Sequence, residues 1–334
     1  MTRLSAIFLL ATVAVLAACE LPRAHGDATA VIVASDGEFW FDAEDAFRDQ
    51  MEPTVQTVRD ERPFRLTHVD PAQEEAWTQL QRFRQVAVLG PRGYRWVDEA
   101  LDRAGGAVPE APALVVARDV WARGQQVWVL LLPDDDPAGA VPELAAEVRE
   151  RMEREFEAYA RQRMFVSGRD TILADSLASN VGFGLDFPRV YRYTVHSDTV
   201  FRFRNDNPSP SELIREVAVS WIEPMPEEDP TREELEQWRL DLTRTHYVNP
   251  QDLDTTVVTF EAIEVNGAAG VEYQSAWVSR PDAWPSGGPF IVRALRCPDQ
   301  DRMYLMDAWV YAPGREKYEY VIQLRTILDS FRCG

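Results

Sequence analysis

Lysine is nearly missing from this chain. Of its 35 basic residues only Lys317 is a lysine, and the rest are arginine. A G+C-rich genome or a salt-rich habitat would each produce that bias, and neither speaks to function. Cysteine is scarce as well, with three residues at Cys19, Cys297 and Cys333, which excludes a disulfide-dense scaffold. The four histidines, His25, His68, His196 and His246, are scattered without partner spacing, and no Cys-x-x-Cys occurs, so no metal site and no cofactor is expected. There is no His-Glu-x-x-His, no Gly-x-Ser-x-Gly and no Gly-x-x-x-x-Gly-Lys. Zinc-protease, serine-hydrolase and P-loop chemistry therefore lack their usual anchors. Positive charge is also short, because 55 acidic residues set the formal charge at −20. Such a surface repels nucleic acid and anionic headgroups, so both are poor partners.

What the chain does have is a distinctive start. Arg3 supplies a short basic opening, and Ile7 to Ala18 form an almost unbroken apolar run. That run is shorter than the roughly 20 residues of a permanent membrane helix. It ends in Leu16-Ala17-Ala18-Cys19, small residues of a cleavage site placed directly before a cysteine. The pattern reads as a lipoprotein signal peptide over residues 1–18, with Cys19 the acylated N-terminus of an exported, membrane-tethered chain. The alternative is an ordinary signal peptide cut elsewhere. Glu20 rather than Asp follows the cysteine, which leans towards the outer membrane. An even pair then remains in an oxidising compartment, and a Cys297–Cys333 disulfide is expected, two buried free thiols being the alternative.

Residues 19–28, with Pro22 and Gly26, read as a tether, and the rest of the chain is long enough for two domains. In the first, residues 29–180, apolar strands such as Ala30–Ala34 and Val86–Leu89 alternate with helical patterns. These imply an α/β domain on a mostly parallel or mixed sheet. Asp70-Pro71-Ala72-Gln73 has the offsets of a capping box opening a helix to about Arg84, and Val141 to Tyr159 forms one long apolar stripe. In the second, residues 181–334, period-two alternation recurs in Val190–Val195, Thr199–Arg204 and several later runs. With a Thr231-x-x-Glu234 capping box and a final helix over Glu316–Phe331, this predicts an α+β domain with a largely antiparallel sheet.

Few residues suggest chemistry. Gly90-Pro91-Arg92-Gly93 follows a strand and is better read as a tight turn than as a phosphate cradle. Asp134-Asp135-Asp136 reads as a solvated helix-start cluster rather than a calcium site. Ten tryptophans are the other unusual feature, with Trp121, Trp128, Trp277, Trp284 and Trp309 near strands and loops. Trp40 and Trp121, at strand-to-loop transitions, are the best candidates for ligand contacts, and Arg123 could add a fork-shaped donor.

Several segments together resemble the bacterial lipoprotein family of domain-of-unknown-function 4837. They are Val31-Ile32-Val33-Ala34-Ser35-Asp36-Gly37-Glu38-Phe39-Trp40, Arg84 to Leu89, Asp119 to Arg123, and Gly182 to Tyr191 with its Phe-Pro-x-x-Tyr. Gly124 stands where the family tends to have proline. Val257 to Phe331 also resembles the last part of the PsbP-like fold, through its Gly-x-x-x-Tyr strand, the hairpin around Asp299 and the helix ending at Phe331. The first resemblance implies location and architecture and brings no catalytic residue; the second implies binding or assembly modules. The resulting expectation is a non-enzymatic envelope module that binds an envelope protein or glycan. Its rival is a cell-wall or glycan hydrolase using paired carboxylates.

Overall fold

The computed structural model describes residues 21–58, 60–197, 199–206 and 212–334. Cys19 and the apolar leader lie outside these residues. Along the chain the elements are β1 (Ala30–Ala34), α1 (Gly37–Met51), β2 (Val55–Gln56), β3 (Asp60–Glu61), β4 (Arg65–Val69), α2 (Glu74–Leu80), β5 (Gln85–Gly90), α3 (Arg95–Ala104), β6 (Ala113–Arg118), β7 (Gln126–Leu131), α4 (Val141–Met164) and α5 (Thr171–Asn180). There follow β8 (Phe183–Gly184), β9 (Arg192–Ser197), β10 (Val200–Asn205), β11 (Ile214–Ile222), α6 (Arg232–His246), β12 (Gln251–Val265), β13 (Ala268–Ser279), β14 (Gly287–Cys297), β15 (Arg302–Tyr311), α7 (Tyr318–Leu328) and β16 (Arg332–Cys333). No helix among the described residues is long and apolar enough to cross a membrane.

Among the described residues two compact units emerge, one within 21–53 and 62–156 and the other within 54–61 and 157–334. The division falls inside α4 rather than near residue 180, the boundary expected from composition. The reason is packing, since Leu177 of α5 belongs to the core of the second unit. The short β2–β3 hairpin joins that unit too. Glu61 Oε2 accepts from the backbone N–H groups of Lys317 and Tyr318 at 2.6 and 3.0 Å, capping the start of α7 from a distant part of the chain.

The first unit is an α/β sandwich. Its sheet has the order β4-β1-β5-β7-β6, parallel except for β6. Val31 and Val33 pack on one side with Phe47 of α1 and Val148 of α4, while Ile32 and Ala34 pack on the other with Trp77 of α2 and Val97 of α3. A strand covered on both faces is apolar at every position, which accounts for the unbroken run. Helix α1 starts at Gly37, earlier than the apolar pattern suggests. Asp36 accepts from the N–H groups of Glu38 and Phe39 and so caps it. The expected cap at Asp70 is not one: α2 begins at Glu74, and Asp70 instead accepts from Gly37 and Ala72. Part of the expected tether is also anchored, because Ala24 and Pro22 exchange backbone hydrogen bonds with Arg123 at 2.9 and 2.7 Å.

The second unit is built on a seven-stranded antiparallel sheet, order β12-β13-β14-β15-β11-β10-β9. One face packs against α5 and α7 through Val217, Ile291, Met306, Leu324 and Ile327. The other packs against α6 through Leu235 and Leu242. The expected capping box of α6 is present, with Thr231 and Glu234 bonding reciprocally. Cys297 and Cys333 form a disulfide with Cα atoms 5.8 Å apart, fastening β14 to β16 after the last helix.

Candidate functional site

Helix α6 covers only part of its face of the sheet. Side chains at alternate positions of a strand share a face, so cross-strand register converts the sequence into rows. One row runs Thr194–Arg202–Ala218–Asp307–Val292, and the next runs Arg192–Arg204–Glu216–Trp309–Phe290. Helix α6 is fixed over the first row. Arg239 of α6 donates to Asp307 at 2.9 Å with both side chains fully buried, and the Tyr247 hydroxyl donates to the other oxygen of Asp307 at 2.7 Å. Arg239 also donates to Gln251 and lies 3.9 Å over the Phe290 ring. Burial first, and then the Asp307 carboxylate, hold the Tyr247 phenol well above its ordinary pKa, so it stays a donor.

Beside the helix, Thr194 and Arg202 of the first row and Arg192, Arg204 and Trp309 of the second border open space. There a cavity of about 950 Å³ is lined by strand residues and rimmed by the segment after α6 and the β13–β14 loop. Its walls include Arg192, Arg204 and Arg280 together with Trp277, Trp284 and Trp309. Arg202 and Arg204 both donate to Glu216, at 2.6 and 3.1 Å, and Arg202 stacks 4.5 Å over Tyr247 while donating to the carbonyl of His246. Arg192 pairs with Asp206, and Arg280 lies 3.6 Å from Asp282. A guanidinium carries five donors, so the single carboxylates met by Arg192 and by Arg280 leave others for a ligand. Trp277 donates from Nε1 to the Val310 carbonyl at 3.2 Å. That approach requires glycine at position 288, where a Cβ would stand 2.7 Å from the same nitrogen and 1.7 Å from the carbonyl oxygen. Trp309, also in the wall, is buried and its Nε1 has no hydrogen-bond partner. A buried donor left unmet costs about 1–3 kcal/mol.

The residues singled out from sequence lie elsewhere. Trp40 is a core residue, 5% exposed, stacked on His68 at 4.6 Å and edge-on to Phe47, so the expected ligand contact fails there. Trp121 is partly buried edge-on against Trp77 at 5.0 Å, with Nε1 donating to Glu99 at 2.8 Å. Arg123 is exposed and contributes its backbone to residues 22–24. The structure brings neither Trp121 nor Arg123 to the cavity. Of Gly90-Pro91-Arg92-Gly93, Gly90 and Pro91 line a smaller crevice of about 270 Å³ at the carboxyl ends of β1, β5 and β7, together with Asp36 and Asp134. The Gly93 N–H there is taken by Asp98 at 3.1 Å, as in a closed turn. In the acidic run Asp136 accepts from Gly139 at 3.0 Å, and no group able to hold a metal occurs among the described residues.

Sequence reasoning picks out Trp277, Trp284 and Trp309 but not that they share one cavity. It places Arg202 and Arg204 on one side of an alternating strand without showing what faces them. The only available signal is their spacing of two, which looks the same whether the polar row faces water or a buried carboxylate.

No curated protein matches this chain. Among solved structures it is similar to the Ran-binding protein Mog1p of Saccharomyces cerevisiae, at 14% identity and a TM-score of 0.30, over 46% of this chain and 92% of that one. It is also similar to the cyanobacterial PsbP (CyanoP) of Synechocystis sp. PCC 6803, at 11% identity and a TM-score of 0.31, over 47% of this chain and 89% of that one. The family model described as "Domain of unknown function (DUF4837)" matches residues 170–330, which include the Gly182–Tyr191 segment and the whole wall of the cavity. The resemblance to the DUF4837 family is thus a match to that family's model across most of the second unit.

Proposed function

We propose that this chain is an exported, lipid-anchored binding module of the cell envelope, without a catalytic centre, that takes its ligand in the cavity beside α6. The observation that carries the reading is the composition of that cavity. Arginine forks and large aromatic rings are the side chains most used for recognition, because they combine apolar area with fixed donors. A glycosidase-type reaction would require two carboxyl groups facing one cleft at a defined separation. Among the described residues the cavity wall contributes one carboxylate, Asp282. The anchoring part of the proposal rests on Arg3, the apolar run Ile7 to Ala18 and Leu16-Ala17-Ala18-Cys19 in the sequence.

Two measurements test it. Mass spectrometry of the mature protein is expected to find a diacyl- or triacylglyceryl Cys19 as its first residue, in the outer-membrane fraction, and Cys19→Ala is expected to release it. A native N-terminus elsewhere defeats the anchor. A photo-crosslinking residue at position 284 is expected to capture an envelope component in intact cells. Turnover of peptidoglycan or another glycan, abolished by changing one or two carboxylates, would replace the binding module with an enzyme.

A further inference from the structure

We infer that the cavity binds a small acidic saccharide, a ligand of a few sugar units with one or more carboxylates. This rests on the reading of the cavity as a ligand site. The first observation is a local reversal of charge. The chain as a whole carries −20, yet at the cavity four arginines, Arg192, Arg202, Arg204 and Arg280, meet three carboxylates, Asp206, Glu216 and Asp282, which leaves a local excess of positive charge. The side chains of Arg192 and Arg280 are 74% and 50% exposed, so their remaining donors are within reach of an incoming anion. A long polyanion would meet the acidic remainder of the molecule and be repelled, which restricts the ligand to few charges.

The second observation is a set of flat platforms. Trp284 is 86% exposed and Tyr193 is 53% exposed, and both border the cavity. The face of an aromatic ring is electron-rich, and the C–H face of a pyranose offers the complementary partial charge over a matching area. The third is the chemistry between charge and platform. Thr194, Ser279 and Asn249 line the same space, and such groups both donate and accept, as sugar hydroxyls require. At about 950 Å³ the cavity stands at the upper end of the range of roughly 300–1,000 Å³ found for small-molecule sites. Guanidinium for carboxylate, indole for ring face and hydroxyl for hydroxyl together select an acidic saccharide over a simple anion or a neutral sugar.

The test is calorimetric titration of the full mature chain in detergent with four probes: a glucuronate trisaccharide, its carboxyl-reduced neutral counterpart, triglutamate and inorganic phosphate. The acidic trisaccharide is expected to bind at least tenfold more tightly than each of the others and to quench tryptophan fluorescence. Changing Arg192→Gln and Arg280→Gln together is expected to weaken it about tenfold and to flatten its salt dependence. Trp284→Ala is expected to weaken it and reduce the quench. All three changed residues are at the surface, and an unaltered melting temperature checks that the variants fold. Equal binding of the neutral sugar overturns the role of charge, and equal binding of triglutamate or phosphate overturns the saccharide. Binding of none overturns the inference outright. If position 284 still captures an envelope component in cells, the binding-module reading survives that failure.

Discussion

The two units solve the same packing problem with different materials. In the first, among the described residues, the buried polar residues are the uncharged Ser35, Gln125 and Gln126, and the Glu52 carboxylate, 7% exposed, is paired with Arg48 and Arg62. In the second, Glu61, Arg202, Glu216, Arg239, Glu272, Arg293, Asp307 and Lys317 are all buried. Even the single lysine of the chain is among them, 3.7 Å from Glu61. The sheet of the first unit, covered on both faces, is packed chiefly through hydrocarbon side chains. The antiparallel sheet of the second unit instead carries charge rows across its strands, and each arginine must find a carboxylate at a set position. Burial of paired charge adds little net stability, because desolvation offsets the attraction. It does penalise any arrangement that leaves a partner unmatched. The cavity lies beside one such network, where α6 is fixed by Arg239 and Tyr247 on Asp307.

The largest effect expected from this contrast comes from breaking one buried pair. Asp307→Ala strands Arg239, and urea unfolding should show a loss of about 3–5 kcal/mol. Joint replacement of Arg239 and Asp307 by Met and Leu should recover most of that loss. If it does not, the pair stabilises the unit directly and the contrast is wrong. Leu130→Ala in the first unit should cost about 2–5 kcal/mol through a cavity alone, and no second-site change to a neighbour should rescue it without refilling the space.

Next in size is the disulfide. Reduction of Cys297–Cys333, which are 36 residues apart, should destabilise the second unit by roughly 3–4 kcal/mol on the chain-entropy estimate. Hydrogen exchange should localise the loss to that unit and leave β1, β5 and β7 protected. Opening of both units together would show that they do not unfold independently. Thr231→Ala should come after it, costing about 1 kcal/mol through loss of one half of the α6 capping box, and Thr231→Ser should restore it.

A pH effect of the first unit is the smallest. Burial pushes the His68 imidazole below its ordinary value, against the opposing hydrogen bond to Ser35. The unfolded chain therefore holds more protons on this group, and stability should fall as pH drops below about 6.5 towards the folded pKa. Thermal unfolding between pH 7 and 5 should show this slope, and His68→Asn should flatten it.

Much of this architecture is readable without coordinates, and the exceptions have physical causes. The run Val31-Ile32-Val33-Ala34 can only be a strand covered on both faces. Thr231-x-x-Glu234 can bond only to its own helix start, so its role is visible locally. Asp70 illustrates the opposite case. Its neighbours have the offsets of a capping box, but a carboxylate serves whichever donor reaches it, and Gly37 lies there in space. The β2–β3 hairpin escapes sequence reasoning because each strand is two residues long and its importance is the distant capping by Glu61. The pairing of the β10 arginines with Glu216 is not readable in sequence, because period-two alternation reports which residues share a face, not what covers that face.

By itself the sequence determined the class of each half, the doubly covered strands and the α6 cap, and it favoured a pairing of the two later cysteines over free thiols. Each is fixed by interactions between near neighbours or by composition. Only the tertiary structure decided that Trp40 is core, that Glu61 caps α7 and that arginines and tryptophans from four strands and one loop meet in one cavity. Those facts depend on contacts between residues far apart in the chain. A side chain's partner there is set by strand order and register, which no local pattern encodes.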